Sequence, residues 1–491
     1  MSASAPASLG QRIARQGAML LSGFALAQVF SFARNAIIAH WLSKGDFGIA
    51  AAILLLLQLL DTLTDLGVDR LIVQARDGDD PRLLANAHLT LVARGLVTAV
   101  LLLTLAWPMA GFFGIPEAAW AFAAAAIVPF AKGFLNLGAR VAQRHLDNRP
   151  QMMIEVAPQA LGLILTLPML MLAGDYTAVL WLAIVQAVLA IAVSHVVTPH
   201  RYALGFDKKH MHRLVAFGWP IWASAFPLIA VYQGDRMIIG HLAGIEALAA
   251  YTAAFMITMV PGLIAAKVAN ALMLPLLAGE QDHTDRFAER FRMMAEATAL
   301  AAALYLAAFV IAGGMLLPIA FGGSYAGLGP LVGWLALMWS MRMLQAVPGA
   351  ALLAKGVTSP FFTAGMIRAT GLLLAWLSLS AGWGLEGAAA AGAVAEFASL
   401  AYITWRLDRL VEPHTHATTH RLGSALAARA LLLIPTGGLA LAINMTAGIA
   451  TTLLGAMVNL IVVSLLVIAL AALTMPDGKR QLQAMRATPA R

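Results

Sequence analysis

The chain has 491 residues, of which 61% are hydrophobic and only 11% charged, a balance that excludes a soluble globular fold. Its formal net charge of +8 would point to nucleic acid in a soluble protein; here the basic residues follow a membrane-topology pattern, and no nucleic-acid partner is expected. There is no cysteine, so disulfides, thiolate metal sites and thiol catalysis are excluded.

Arg12 and Arg15 precede the first apolar run, and Ala25-Leu26-Ala27 resembles a signal-peptidase site. The run continues to about residue 41, so it is read as an uncleaved span. A helix needs roughly 20 apolar residues to cross a ~30 Å hydrocarbon core. The runs are continuous and rich in Ala and Leu, without the alternation of a membrane β-barrel. The prediction is an all-α polytopic protein with about fourteen spans: 17–40, 47–69, 87–108, 117–138, 152–173, 177–198, 214–241, 247–274, 293–318, 328–354, 359–381, 386–405, 425–444 and 450–474.

The gaps between spans alternate in charge. Of the 32 Lys and Arg residues, 24 fall on one side, among them Arg70, Arg76 and Arg82, then Arg201, Lys208, Lys209 and Arg213. Lys44 alone falls in a loop on the other side. By the positive-inside rule the basic side is cytoplasmic, both termini lie there, and anionic lipids of the inner leaflet are attracted to it. The opposite loops, such as Phe112 to Glu117 and Gly174 to Tyr176, are too short for a folded domain. A membrane polysaccharide polymerase or ligase needs catalytic groups on such a loop, so the protein is not expected to be an enzyme. With no Walker A loop, it does not hydrolyse ATP by that route. No cofactor is expected.

A weak internal repeat recurs at about 201 residues. Ile37-Ile38-Ala39-His40 matches Ile238-Ile239-Gly240-His241, and Arg140 with Gln143 has the spacing of Arg342 with Gln345. Chance matches are common in an Ala-rich chain; if the repeat holds, spans 1–6 and 7–12 are parallel repeats with substrate between them. The expected organisation is a cytoplasmic N-terminus (1–16), an N-lobe (17–198), a basic linker (199–213), a C-lobe (214–405), an appended helix pair (425–474) and a cytoplasmic C-terminus (475–491).

With Arg429, near the start of the thirteenth span, counted on the basic side, seven basic residues lie inside predicted spans: Arg34, Arg94, Lys132, Arg236, Lys267, Arg342 and Arg368. At roughly 3 kcal/mol each when facing lipid, they must face an interior, pair with acids or snorkel. Arg94 and Lys132 lie within snorkelling reach of the inner surface. Arg342 and Arg368 lie closest to mid-membrane. The acids counted inside spans are Asp61, Asp65, Asp235, Glu296 and Glu396. On a continuous helix Gln58, Asp61, Asp65 and Asp69 share one face, a stripe that either lines a water-filled passage, carries a coupling proton or neutralises bases on neighbouring helices. The positive excess suits an anionic ligand such as a phosphate or pyrophosphate, whose oxygens match the guanidinium fork.

Other features are weaker. His414, His416 and His420 beside Pro413 read as a solvated linker rather than a metal site, and no metal is expected. Asn444-Met445-Thr446 is a chance sequon against the membrane. Prolines such as Pro158, Pro261 and Pro348 allow kinks within spans.

The segments RNAIIAHWLSKGDFGIAAAI (34–53) and DTLTDLGVDRLIVQ (61–74), with FGWPIWAS (217–224) and GDRMIIGHLAG (234–244), resemble the polysaccharide transporter family, the Wzx-like oligosaccharide flippases. The resemblance rests on Arg34, Phe47-Gly48, Asp65-Leu66-Gly67, Asp235-Arg236 and Tyr251, and runs from about residue 10 to 475. It implies the fold of the larger exporter group that includes multidrug extruders and lipid II flippases. That fold has two six-helix lobes around a central cavity, with two extra helices. It also implies movement of an undecaprenyl-pyrophosphate-linked oligosaccharide to the outer leaflet of the bacterial plasma membrane, coupled to a proton or sodium gradient. A polysaccharide polymerase and a chain-length regulator are the implied protein partners. Arg34, Asp235 and Arg236 match family positions; Lys267, Arg342 and Arg368 join them as cavity candidates by burial alone. Asp61, Asp65 and Glu396 are the ion-coupling candidates. A lipid II flippase and a drug or cation antiporter are the alternative transporter readings. The basic interior and span count speak against the antiporter.

Overall fold

The computed structural model describes residues 9–411, 422–446 and 453–474, and no strand occurs among them. The helices are α1 (Leu9–Trp41), α2 (Lys44–Leu63), α3 (Val68–Gln74), α4 (Pro81–Phe112), α5 (Ala119–Ala124), α6 (Ile127–Lys132), α7 (Gly138–Arg144), α8 (Arg149–Ala173) and α9 (Thr177–Val196). They continue with α10 (Lys208–Leu242), α11 (Ile245–Ala278), α12 (Thr284–Phe321), α13 (Gly329–Ala354), α14 (Ser359–Ser380), α15 (Gly384–Val411), α16 (Leu422–Ala430), α17 (Leu433–Thr446) and α18 (Leu453–Thr474). Among the described residues ten helical segments are long and apolar enough to cross a membrane, which makes this a multi-pass membrane protein. The long helices α1, α10 and α13 coincide with three more predicted spans. The chain divides into two compact units, Met1–Ala249 and Ala250–Arg491. The histidines His414, His416 and His420 lie outside the described residues.

Two predicted spans of the first unit are not continuous helices. The fourth, expected over 117–138, breaks into α5 and α6 at Ala125 and Ala126. Pro129 has no N–H to give the Ala125 carbonyl, which frees the turn before it. Gly95 of α4 packs there: a Cβ on it would lie 2.6 Å from the Pro129 carbonyl oxygen.

The second span, expected over 47–69, ends as a helix at Leu63. The Asp-Leu-Gly motif is the reason. The Asp65 carboxylate accepts the Gly67 N–H at 3.0 Å, and Gly67 takes a left-handed φ of 58°. The chain then restarts as α3. Gln58, Asp61, Asp65 and Asp69 therefore do not form one stripe on one helix, because two of the four lie beyond the break.

At its other end, α2 is capped by Ser43, whose Oγ accepts the Asp46 N–H at 3.0 Å. The Phe-Gly of the family-like turn follows at once. A Cβ on Gly48 would stand 2.2 Å from the Ile245 carbonyl oxygen, with backbone on both sides of the contact. Gly48→Ala is expected to destabilise the fold by about 1–3 kcal/mol. A melting temperature of the purified variant equal to the wild type would show that this approach is not tight.

The core of the first unit joins α2, α4, α5, α6 and α9 through Leu60, Leu102, Phe122, Val128 and Leu180. A smaller cluster joins α3, α4, α7 and α10 through Ile72, Leu83, Val141 and Leu214. In the second unit α13 packs against α12 and α15, and α14 against α15. The pair Arg429–Glu296, at 2.7 Å, pins α16 to α12. Glu296 is thus paired with a residue near the start of the thirteenth predicted span.

Candidate functional site

In the first unit, α1 packs on α8 and α8 on α9, which places Arg34 between them. Its Nη1 donates to Gln159 Oε1 at 3.0 Å and Gln186 Oε1 at 2.7 Å, and its Nη2 to Ser31 Oγ at 3.4 Å. Among the described residues no carboxylate forms an ion pair with Arg34. Its partners are neutral amides and a hydroxyl, so its charge is oriented without being cancelled.

The other bases of this unit are paired. Arg94 does not snorkel: it donates to Asp61 Oδ1 at 2.6 Å and lies 3.6 Å from Asp65. Lys132 reaches Asp61 at 3.9 Å. Asp65 also meets Arg70 at 3.3 Å, and Asp69 meets Arg140 at 3.1 Å. The acids of the second span thus tie α2 and α3 to α4, α6 and α7. Outside the spans, Arg213 donates to both oxygens of Asp77 at 2.8 and 2.7 Å, and this bond holds the Asp77 carboxyl below the usual carboxylate range.

Asp235 and Arg236 sit side by side in α10. The Asp235 carboxylate accepts the Arg236 N–H at 2.8 Å, and Arg236 Nη2 donates to the Tyr232 carbonyl at 2.9 Å. Gln233 beside them is 4% exposed, and its side-chain carbonyl has no hydrogen-bond partner among the described residues.

The second unit gathers Arg342 of α13, Arg368 of α14 and Glu396 of α15. Glu396 accepts from Arg342 Nε at 2.5 Å and meets Arg368 Nε at 3.0 Å. Its side chain is 1% exposed, and those of Arg342 and Arg368 are 10% and 17% exposed. Arg368 also donates to Gln345 Oε1, whose amide donates to Ser399 Oγ at 2.9 Å. Arg342 lies 4.8 Å from the centre of the Trp339 ring. One carboxylate between two guanidiniums leaves a net charge of +1, half of what two unpaired arginines would carry. Lys267 of α11 is exposed. Elsewhere in the unit an apolar groove of about 1280 Å³ runs among α12, α13, α15, α16 and α17, lined by Leu306, Trp334, Phe397, Trp405 and Leu431.

Gln159, Gln186, Gln345 and Ser399, which orient the partly buried arginines, are not among the site residues expected from the sequence. Neutral amides add nothing to a charge tally; the usable signal was a glutamine deep in an otherwise apolar run. Glu155 also lies within the predicted fifth span, where it accepts from Gln151 Nε2 at 2.7 Å.

A family model described as "Polysaccharide biosynthesis protein" matches residues 37–330, more than half of the chain, and the chain belongs to that family. A curated relative, the teichuronic acid biosynthesis protein TuaB of Bacillus subtilis (strain 168), is 27% identical over 154 residues. That match spans 31% of this chain and 32% of the relative. The fold is similar to a solved structure of the lipid II flippase MurJ in an inward closed conformation. The TM-score is 0.70 at 12% identity, over 92% of this chain and 98% of that one. It is also similar to an inward-facing multidrug resistance MATE family transporter of the MOP superfamily, with a TM-score of 0.64 at 14% identity, over 79% and 96%. The chain thus combines membership of a polysaccharide biosynthesis family with the fold of MOP-superfamily transporters.

Proposed function

We propose that the protein is a flippase that carries an undecaprenyl-pyrophosphate-linked oligosaccharide from the inner to the outer leaflet of the bacterial plasma membrane. The product feeds surface polysaccharide assembly. The observation that carries this reading is Arg34, an intramembrane guanidinium held by two glutamines and paired with no carboxylate among the described residues. A cation kept uncancelled inside the membrane suits an anionic headgroup, and a fork-shaped donor suits phosphate oxygens. The apolar groove of the second unit suits a polyprenyl chain. Asp235, Arg236, Lys267, Arg342 and Arg368 remain the further cavity candidates, and Asp61, Asp65 and Glu396 the candidates for coupling to a proton or sodium gradient. Alternating access between an N-lobe and a C-lobe, with both termini in the cytoplasm, completes the proposal. A polymerase and a chain-length regulator would act on the product.

In a strain from which this chain is deleted, surface polysaccharide is expected to disappear while lipid-linked oligosaccharide accumulates on the cytoplasmic face. Restoring the chain reverses both. Unchanged surface polysaccharide would reject the reading, and lethality of the deletion would assign the substrate to lipid II instead.

A further inference from the structure

The seat of Arg34 is built with more care than a buried cation needs. Gln186 of α9 points its carbonyl at Arg34 Nη1 at 2.7 Å, while its own Nε2 donates to the Pro158 carbonyl of α8 at 3.3 Å. The amide lies over Gly162: a Cβ there would come within 1.9 Å of Gln186 Nε2 and 2.8 Å of its Cδ. The glycine, the Pro158 carbonyl and the glutamine together place one neutral oxygen against one guanidinium nitrogen. Gln159 adds a second neutral oxygen at 3.0 Å to the same nitrogen.

An acid was within reach of the design. Glu155 lies four residues before Gln159, on the same face of α8, yet it is engaged by Gln151 and forms no ion pair with Arg34. A glutamate at position 186 or 159 would have the same shape as the glutamine and would satisfy Arg34 better as a structural ion. Amides instead orient the fork and leave its charge for something else. Nη1 is occupied by the glutamines, whereas among the described residues the one hydrogen bond of Nη2 is the long 3.4 Å contact to Ser31. The Nη2 edge is therefore where an anion competes on good terms.

We propose that Gln186, seated on Gly162 and seconded by Gln159, is a positioning residue that presents the Arg34 guanidinium, fully charged, to the pyrophosphate of the lipid-linked substrate. This rests on the reading of Arg34 as a phosphate-binding group. The chemistry recognised is a pair of phosphate groups, and the prenyl tail contributes elsewhere.

The test uses the full chain in detergent micelles, with farnesyl pyrophosphate as the probe and inorganic pyrophosphate as the competitor. Gln186→Glu is expected to weaken probe binding about tenfold or more, as Arg34→Ala does, because it places a carboxylate on the cation. The same variant trades the donation to the Pro158 carbonyl for an ion pair with Arg34 and is expected to melt close to the wild type, so the loss is not unfolding. Gln186→Leu and Gly162→Ala keep the charge but lose the orientation, and are expected to show smaller, matching losses. Wild-type binding by Gln186→Glu would overturn the positioning role and leave the Arg34 reading intact. Wild-type binding by Arg34→Ala would overturn the Arg34 reading itself. Inorganic pyrophosphate is expected to displace the probe; failure to do so would assign binding to the prenyl chain and overturn the proposal.

Discussion

Glu396→Gln is expected to destabilise the second unit by about 3–5 kcal/mol, among the largest effects of any single substitution in this chain. Glu396 is 1% exposed, accepts from Arg342 and forms an ion pair with Arg368 at 3.0 Å. The amide keeps the shape and one acceptor oxygen but turns an NH2 group toward a guanidinium. Two buried cations then face each other with no compensating charge, in a part of the chain surrounded by hydrocarbon. The measurement is the thermal unfolding of the purified variant in detergent, beside its yield in membranes. A melting curve like that of the wild type would show that the three residues are not a closed ion cluster.

A second variant separates structure from mechanism. Replacing all three charges together by Arg342→Met, Arg368→Met and Glu396→Leu removes the unpaired-charge penalty, and stability is expected to return to near or above that of the wild type. If the triple variant still flips substrate, the triad only fastens α13, α14 and α15 together. If it is stable and inactive, the net positive charge of the cluster takes part in transport.

Much of the fold was legible from one pattern. Apolar runs located the helices, because a membrane span needs about 20 consecutive apolar residues. The breaks at Gly67 and Ala125 were harder to read. Each depends on a local competitor to the helix, the Asp65 carboxylate in one case and the missing Pro129 N–H in the other, and at Ala125 the apolar run continues without interruption. The candidate site was legible only as a remainder of unexplained charges. Sequence named Arg342, Arg368 and Glu396 but could not say that one carboxylate serves both arginines, since the three lie on three different helices. It likewise counted Arg94 as free to snorkel, when Asp61 and Asp65 turn it sideways into the bundle. Arg34 was found by its family-like position; what distinguishes it, neutral partners in place of acids, is visible only once α1, α8 and α9 are packed.

Arg34→Ala is expected to lower surface polysaccharide more than tenfold while the protein still accumulates in the membrane. The asymmetry follows from its partners. Removing a cation from a site that contains no paired carboxylate strands no opposite charge; it leaves Gln159 and Gln186, whose amide groups can bond to each other or to backbone. The cost in stability is therefore about 1–2 kcal/mol, far below the cost of breaking the Glu396 cluster. On the proposed reading of Arg34 as the phosphate-binding group, the cost in transport is larger, because a bound headgroup would lose its charged partner at every turnover. Arg34→Lys separates charge from geometry. An ammonium restores the charge but not the planar fork, so it cannot hold both glutamines on one nitrogen and offer a second edge to phosphate. It is expected to recover part of the polysaccharide and no more. Full activity in Arg34→Lys would reduce the site to a simple point charge, and full activity in Arg34→Ala would remove Arg34 from the mechanism altogether. Immunoblots of membrane fractions, run beside the polysaccharide assay, ensure that a fall in product is a fall in activity per molecule.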